Sequence, residues 1–127
     1  MKKIKDKKFK TNLKENDSLL FLESKNIFKQ GFKRFFSICS KKPTFRGFHG
    51  HKRCTQILFC LNGKIEVHAY MKGNWKIYKL IKNKNYVIIP PKNFLKIKYC
   101  KDNSILGALC DRNYEKDDYY YKLMEYK

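Results

Sequence analysis

The stretch RGFHGHKRCTQILFCLNG, residues Arg46–Gly63, decides the reading of the chain. Successive side chains of a strand point to opposite faces. His49 and His51 therefore project from the same face, about 7 Å apart at their bases. The run QILFCL continues as a strand with buried character, and Asn62-Gly63 is the strongest short hairpin signal a sequence offers. Beyond it, KIEVHAY (64–70) alternates with the period of two that marks a half-buried strand.

Working outward, similar β-branched and aromatic runs recur, with turn residues every eight to twelve positions or so. They are SLLFLES (18–24), FKRFFSI (32–38), WKIYKLI (75–81), YVIIPP (86–91), FLKIKY (94–99) and SILGALC (104–110). MKGNW (71–75) predicts a second hairpin, and Pro90-Pro91 ends a strand because proline has no N–H for the ladder. The pattern predicts about nine strands in an all-β sandwich or barrel. Residues 1–16 read as a Lys-rich leader and 17–127 as a single domain, which suits a chain of 127 residues. The tail RNYEKDDYYYKLMEYK (112–127) has no clear apolar stripe and is expected to pack along the sheet or against a partner.

Thirty Lys and Arg against eleven Asp and Glu give a formal charge of +19. Such an excess invites a nucleic-acid reading. However, it is nearly all Lys, spread along the chain together with the Asn, Ile, Tyr and Phe of AT-rich codons. Basic and aromatic residues do not interleave as on a single-strand-binding surface. The reading is therefore a solvated basic face, whose field also attracts a phosphate-bearing small molecule, with no nucleic acid as partner. At 43% apolar residues the chain can build a core, so the charge does not signal disorder. Five cysteines without a C-x-x-C pair read as reduced thiols. No apolar run approaches about 18 residues and no signal-type apolar segment follows the basic N-terminus. The chain reads as soluble and cytoplasmic, with no membrane partner.

After His51 come four residues, Gln56, six residues and Gly63. This resembles the first motif of the cupins, small jelly-roll β-barrels in which His-x-His, a Glu and the Gly stand at those places. IIPPKNFLK (88–96) occupies the place of the second motif. Gln56 replaces the Glu, and no histidine stands at 94–96. A catalytic metal takes three good protein ligands, whereas two imidazoles, an amide and a lysine are a poor set. The expectation is no metal and no cofactor, which leaves proton transfer by imidazoles that titrate near neutrality.

RGFHGHK (46–52), Gln56, Gly63, YVIIPP (86–91) and YEKDDYY (114–120) together resemble one cupin branch, the WxcM-like dTDP-sugar 3,4-ketoisomerases. The resemblance implies a homodimer that moves the ketone of dTDP-4-keto-6-deoxyglucose from C4 to C3 through an enediol. It places the protein in deoxy-amino-sugar biosynthesis for surface glycans such as the O-antigen of lipopolysaccharide. It assigns His49 as the base at carbon and His51 as the relay between the oxygens, or the reverse. Arg46 is the expected diphosphate contact, with Arg34, Lys52 and Gln56 as further substrate contacts. Related epimerases and non-catalytic nucleotide-sugar-binding cupins are the alternatives. The chain departs from the branch at Gly50, where Ala is usual, at Phe35 and Phe36, where a Tyr follows the Arg, and at Phe94, where Trp is usual. His68 alternates with Lys64 and Glu66 and is expected on an exposed polar face.

Overall fold

The computed structural model describes residues 3–9, 22–23 and 27–123. Among these residues there are ten strands: β1 (Lys5–Lys8), β2 (Arg34–Ser40), β3 (Thr44–His51), β4 (Gln56–Asn62), β5 (Ile65–Met71), β6 (Asn74–Leu80), β7 (Asn85–Ile89), β8 (Leu95–Tyr99), β9 (Ser104–Cys110) and β10 (Tyr119–Tyr120). They form two five-stranded sheets, ordered β1-β7-β4-β9-β2 and β10-β3-β8-β5-β6. Every pairing is antiparallel. The alternation of the sequence turns one face of each sheet inward. Leu58, Val87, Leu106 and Ala108 of the first sheet meet Ile65, Val67, Ile97 and Tyr99 of the second in one core. This is the expected all-β jelly roll.

Two local expectations change. Lys5–Lys8 is not part of a loose leader but an edge strand paired with Asn85–Ile88. Ile4, next to it, is buried in the core and anchors it, while its charged side chains stay exposed. Lysines on an edge discourage pairing with other sheets. SLLFLES falls largely outside the described residues. The tail does pack along a sheet: Lys116–Asp118 makes a short 3-10 turn, and Tyr119 and Tyr120 pair with His51 and Gly50.

The second change concerns Asn62-Gly63, which is not a hairpin turn. Both edges of β4 are taken by β7 and β9, and both edges of β5 by β6 and β8, so this turn carries the chain from one sheet to the other. The two-residue hairpin lies instead at Lys72-Gly73, where both residues have positive φ (48° and 87°) and Met71 faces Asn74. That is the turn geometry that follows strand twist.

Gly63, at φ 74°, lies against the fully buried Ser104. A Cβ there would collide with the Ser104 Oγ and stand 2.9 Å from its Cα. The Ser104 hydroxyl in turn accepts the Lys64 N–H at 3.2 Å and donates to the Lys101 carbonyl at 2.8 Å. Gly63→Ala is expected to lower stability by about 1–3 kcal/mol through overpacking and positive-φ strain, measured as a lower urea midpoint with an unchanged slope.

Candidate active site

The site begins with an irregularity in β3. Arg46 faces Ile97 and His49 faces Leu95, and the register shifts between Gly47 and His49 to accommodate the extra residue Phe48. Gly47 and Phe48 have φ of 99° and 50°, the left-handed conformations of a bulge. Arg46 and His49 are an odd number of residues apart and would face opposite ways in a regular strand. The bulge sets both opposite core residues of β8, so that Arg46, His49 and His51 share the inner face. Phe48 is left on the surface, half exposed.

The two imidazoles lie with ring centroids 5.4 Å apart, nearly perpendicular. His51 is buried, and its Nδ1 is 2.7 Å from Asp118 Oδ2. The other oxygen of Asp118 accepts the Arg53 backbone N–H at 2.6 Å, and its carbonyl accepts the Lys52 N–H at 2.7 Å. The carboxylate thus fixes the imidazole and the turn that follows it. With Nδ1–H donated to a carboxylate, Nε2 holds the free lone pair, and that atom is buried without a hydrogen-bond partner among the described residues. His49 Nδ1 lies 2.9 Å from the Gly47 carbonyl, which fixes the same tautomer less strongly. Tyr119 covers both rings, at centroid distances of 4.4 Å and 5.0 Å.

The first sheet supplies the opposite wall. Arg34 and Gln56 both pair with Cys110, in one row across β2, β9 and β4. Arg34 Nη2 lies 3.5 Å and Gln56 Nε2 3.6 Å from Cys110 Sγ. Interaction with the neighbouring Cys54, together with the hydrogen bonds from Arg34 and Gln56, lowers the Cys110 thiol below the usual thiol range despite its burial, while Cys54 is pushed up. The guanidinium lies over the rings of Phe36 and Tyr114, and its charge acts on the Tyr119 phenol. Its Nε has no hydrogen-bond partner among the described residues.

The structure therefore brings His49, His51, Arg34 and Gln56 together and sets Arg46 on the same inner face, 6.0 Å over the Tyr99 ring. Gln56 directs its amide to Cys110. Lys52 is partly buried at the turn that Asp118 holds. Asp118 and Tyr119 were not singled out by sequence reasoning. The only signal was YEKDDYY, which marks the family and gives no partner for either residue.

His68 is a correction. It is buried, bonded to Glu66 Oε1 at 3.1 Å and set edge-on against Phe45 at 5.2 Å. The outer face of its sheet is polar in sequence, but Phe45 covers it.

Two departures from the family pattern acquire reasons. Gly50 faces Tyr120, and a Cβ there would stand 2.6 Å from the ring's Cε1 and closer still to Cζ. A side chain at this position would therefore force the Tyr120 ring to shift. Phe36, one of the two phenylalanines that follow Arg34 where a Tyr is usual, places its ring under the guanidinium, 5.6 Å from the centroid.

Comparison with known proteins agrees with this geometry. Residues 2–127 match the family described as FdtA: WxcM-like, C-terminal. Comparison with curated protein sequences gives no match. Among solved structures, the sugar 3,4-ketoisomerase QdtA from Thermoanaerobacterium thermosaccharolyticum, in complex with TDP, is 26% identical, covers 94% of this chain and 88% of its own, and superposes with a TM-score of 0.84. A histidine-to-asparagine variant of QdtA in complex with TDP-4-keto-6-deoxyglucose is 25% identical over 94% of this chain and 87% of that one, with a TM-score of 0.83. The TDP-quinovose 3,4-ketoisomerase WlaRB from Campylobacter jejuni is 21% identical, covers 96% and 95%, and has a TM-score of 0.85, a likeness of fold.

Burial holds both imidazoles below the ordinary value of 6.5, only partly offset at His51 by the bond and charge of Asp118 and at His49 by the Gly47 carbonyl. The unfolded chain, whose histidines titrate near 6.5, then binds more protons than the folded one at mildly acidic pH. Stability is full above that value and falls as pH drops below it. Burial alone would raise the Asp118 carboxyl, but the bonds from His51 and the Arg53 N–H outweigh it and hold it below 3.8. Its contribution persists until pH falls through its lowered pKa. Thermal melts from pH 7.5 to 5 are expected to show Tm falling below about pH 6.5, with a smaller slope in His51→Asn.

Proposed function

The chain belongs to the FdtA, WxcM-like family, and from that premise we propose that it converts dTDP-4-keto-6-deoxyglucose into its 3-keto isomer by proton transfer between imidazoles. The observation that carries the mechanism is the 2.7 Å bond between His51 and the buried Asp118. A carboxylate at Nδ1 stabilises the imidazolium that forms when Nε2 takes a proton. Of the two orders left open by the sequence, this favours His51 as the base at carbon. The C4 carbonyl acidifies the C3 proton; His51 removes it, and the electron pair moves to give the enediol as O4 gains a proton. His49, more open to the surface and held only by a carbonyl, exchanges protons with the oxygens. The enediol loses the O3 proton, the ketone forms at C3, and His51 returns its proton to C4. C4 is reduced as C3 is oxidised, so no external electron carrier takes part.

Arg34, with its unpartnered Nε beside Tyr119, is suited to the charge that develops on the sugar oxygens. Arg46 offers a bidentate fork to the diphosphate, with Lys52 as an additional cation. Gln56 acts from behind, holding Cys110 and through it Arg34.

In D₂O with dTDP-4-keto-6-deoxyglucose, proton NMR is expected to show ketone migration with deuterium entering the sugar. Absence of exchange at both C3 and C4 would rule this substrate out. His49→Asn and His51→Asn should each slow exchange by about 10²–10⁴-fold with an unchanged circular dichroism spectrum. Asp118→Asn should lower the rate and move the acid limb of the pH profile to lower pH, because it removes the interactions that raise the His51 pKa.

We further infer a homodimer in solution. The family's habit suggests it, and Phe45, Phe48 and Ile77 are large apolar side chains left exposed. Light scattering after gel filtration is expected to give twice the mass of the 15.4 kDa chain, and a monomer at micromolar concentration would reject the dimer without touching the chemistry.

A further inference from the structure

We propose that His51, Cys54 and Asp118 form a binding site for a thiophilic divalent cation, with zinc the best match, and that its occupancy switches the enzyme off. The inhibitory half of this proposal rests on the role given above to His51; the binding half does not. All three residues are buried, and one ligand atom from each lies within 4.8 Å of the others. On a tetrahedral zinc with bond lengths of about 2.0–2.3 Å, ligand atoms stand roughly 3.3–3.8 Å apart. The cluster would tighten around the thiol and open slightly along the 2.7 Å contact of His51 with Asp118. One nitrogen, one sulfur and one carboxylate oxygen are donors that suit zinc.

The remaining valences agree. Asp118 Oδ1 is already occupied by the Arg53 N–H, which leaves Oδ2 for the ion. Cys54 Sγ reaches only the Thr55 carbonyl, at 3.4 Å, and the neighbouring Cys110 thiol. A bound zinc deprotonates a coordinating thiol outright. The thiolate and the carboxylate then neutralise the two charges of the ion, so the occupied site, with a neutral fourth ligand, carries no net charge. Cys110, beside Cys54, or a water can complete four-fold coordination.

This site differs from the one a cupin His-x-His pair would use. It engages His51 through Nδ1, on the Asp118 side, whereas metal sharing by His49 and His51 would engage the ring atoms that face the substrate. The consequence for chemistry is a change of tautomer. When zinc takes Nδ1, the proton there moves to Nε2 and the one from Cys54 leaves to solvent. Nε2 becomes an N–H donor, and the lone pair that would accept the C3 proton is gone.

The test uses a Cys39→Ser/Cys100→Ser background, which removes the two thiols that solvent reaches. One equivalent of cobalt(II) is expected to produce a thiolate-to-cobalt charge-transfer band, displaced by zinc and lost on adding Cys54→Ser. Zinc is expected to abolish isomerase turnover and a chelator to restore it. Losing an outer partner of a metal ligand already costs about 10–100-fold in affinity. Measured against its own zinc-free turnover, the Cys54→Ser protein should therefore need at least about 100-fold more zinc for half-inhibition. Equal zinc sensitivity with and without Cys54, or no sulfur band in the folded background protein, overturns the site. A Cys54-dependent band with turnover unaffected by zinc would keep the site and reject the role of His51. Should Cys54→Ser fail to fold by circular dichroism, Cys54→Ala and the cobalt spectrum of the background protein decide.

Discussion

The contact between His51 and Asp118 joins residues 67 positions apart, and much of the site is arranged around it. A buried carboxylate is costly unless hydrogen bonds and a partner charge compensate it. Asp118 obtains both, from the imidazole and from the Arg53 N–H. In exchange it draws the 3-10 turn against the end of β3, so that Tyr119 falls over both histidine rings and within reach of Arg34. Breaking a buried pair by removing one partner costs about 3–5 kcal/mol. That is more than a two-residue strand contributes by its own ladder, so the carboxylate holds the tail and not the reverse.

A second constraint operates at close range. Tyr120 fits only because Gly50 lacks a side chain, and its ring continues through Phe94 to Trp75 by centroid distances of 6.1 Å and 6.3 Å. The small residue between the histidines and the phenylalanine after the double proline thus belong to one packing solution. An alanine at 50 and a larger ring at 94 would compete for the space the tail now fills. Departures that look independent along the sequence are neighbours in the fold.

The His-x-His pair, the strand periods and the Lys72-Gly73 hairpin were legible because each depends on local geometry. Asn62-Gly63 misled for a reason of topology: a tight turn specifies a reversal, not which sheet receives the next strand. The bulge at Gly47 and Phe48 was invisible because counting by twos presumes a regular strand, yet it is what gives Arg46 and His49 a common face. Asp118 and Tyr119 are two among several acidic and aromatic residues in the tail, and nothing local distinguishes the carboxylate that reaches His51. His68 was misjudged because burial on the outer face is conferred by Phe45, from another strand.

The tail's modest ladder has a thermal consequence. Proteins open locally in units whose free energies range from nearly zero up to that of global unfolding, and β10 contributes only two paired residues to its sheet. The sandwich beneath it is knit by ladders of four to seven pairs. Fraying of β10 and the turn before it would release His51 from its carboxylate while both sheets stay intact. Catalytic competence and global folding are then separate cooperative units, and on warming the first gives way before the second.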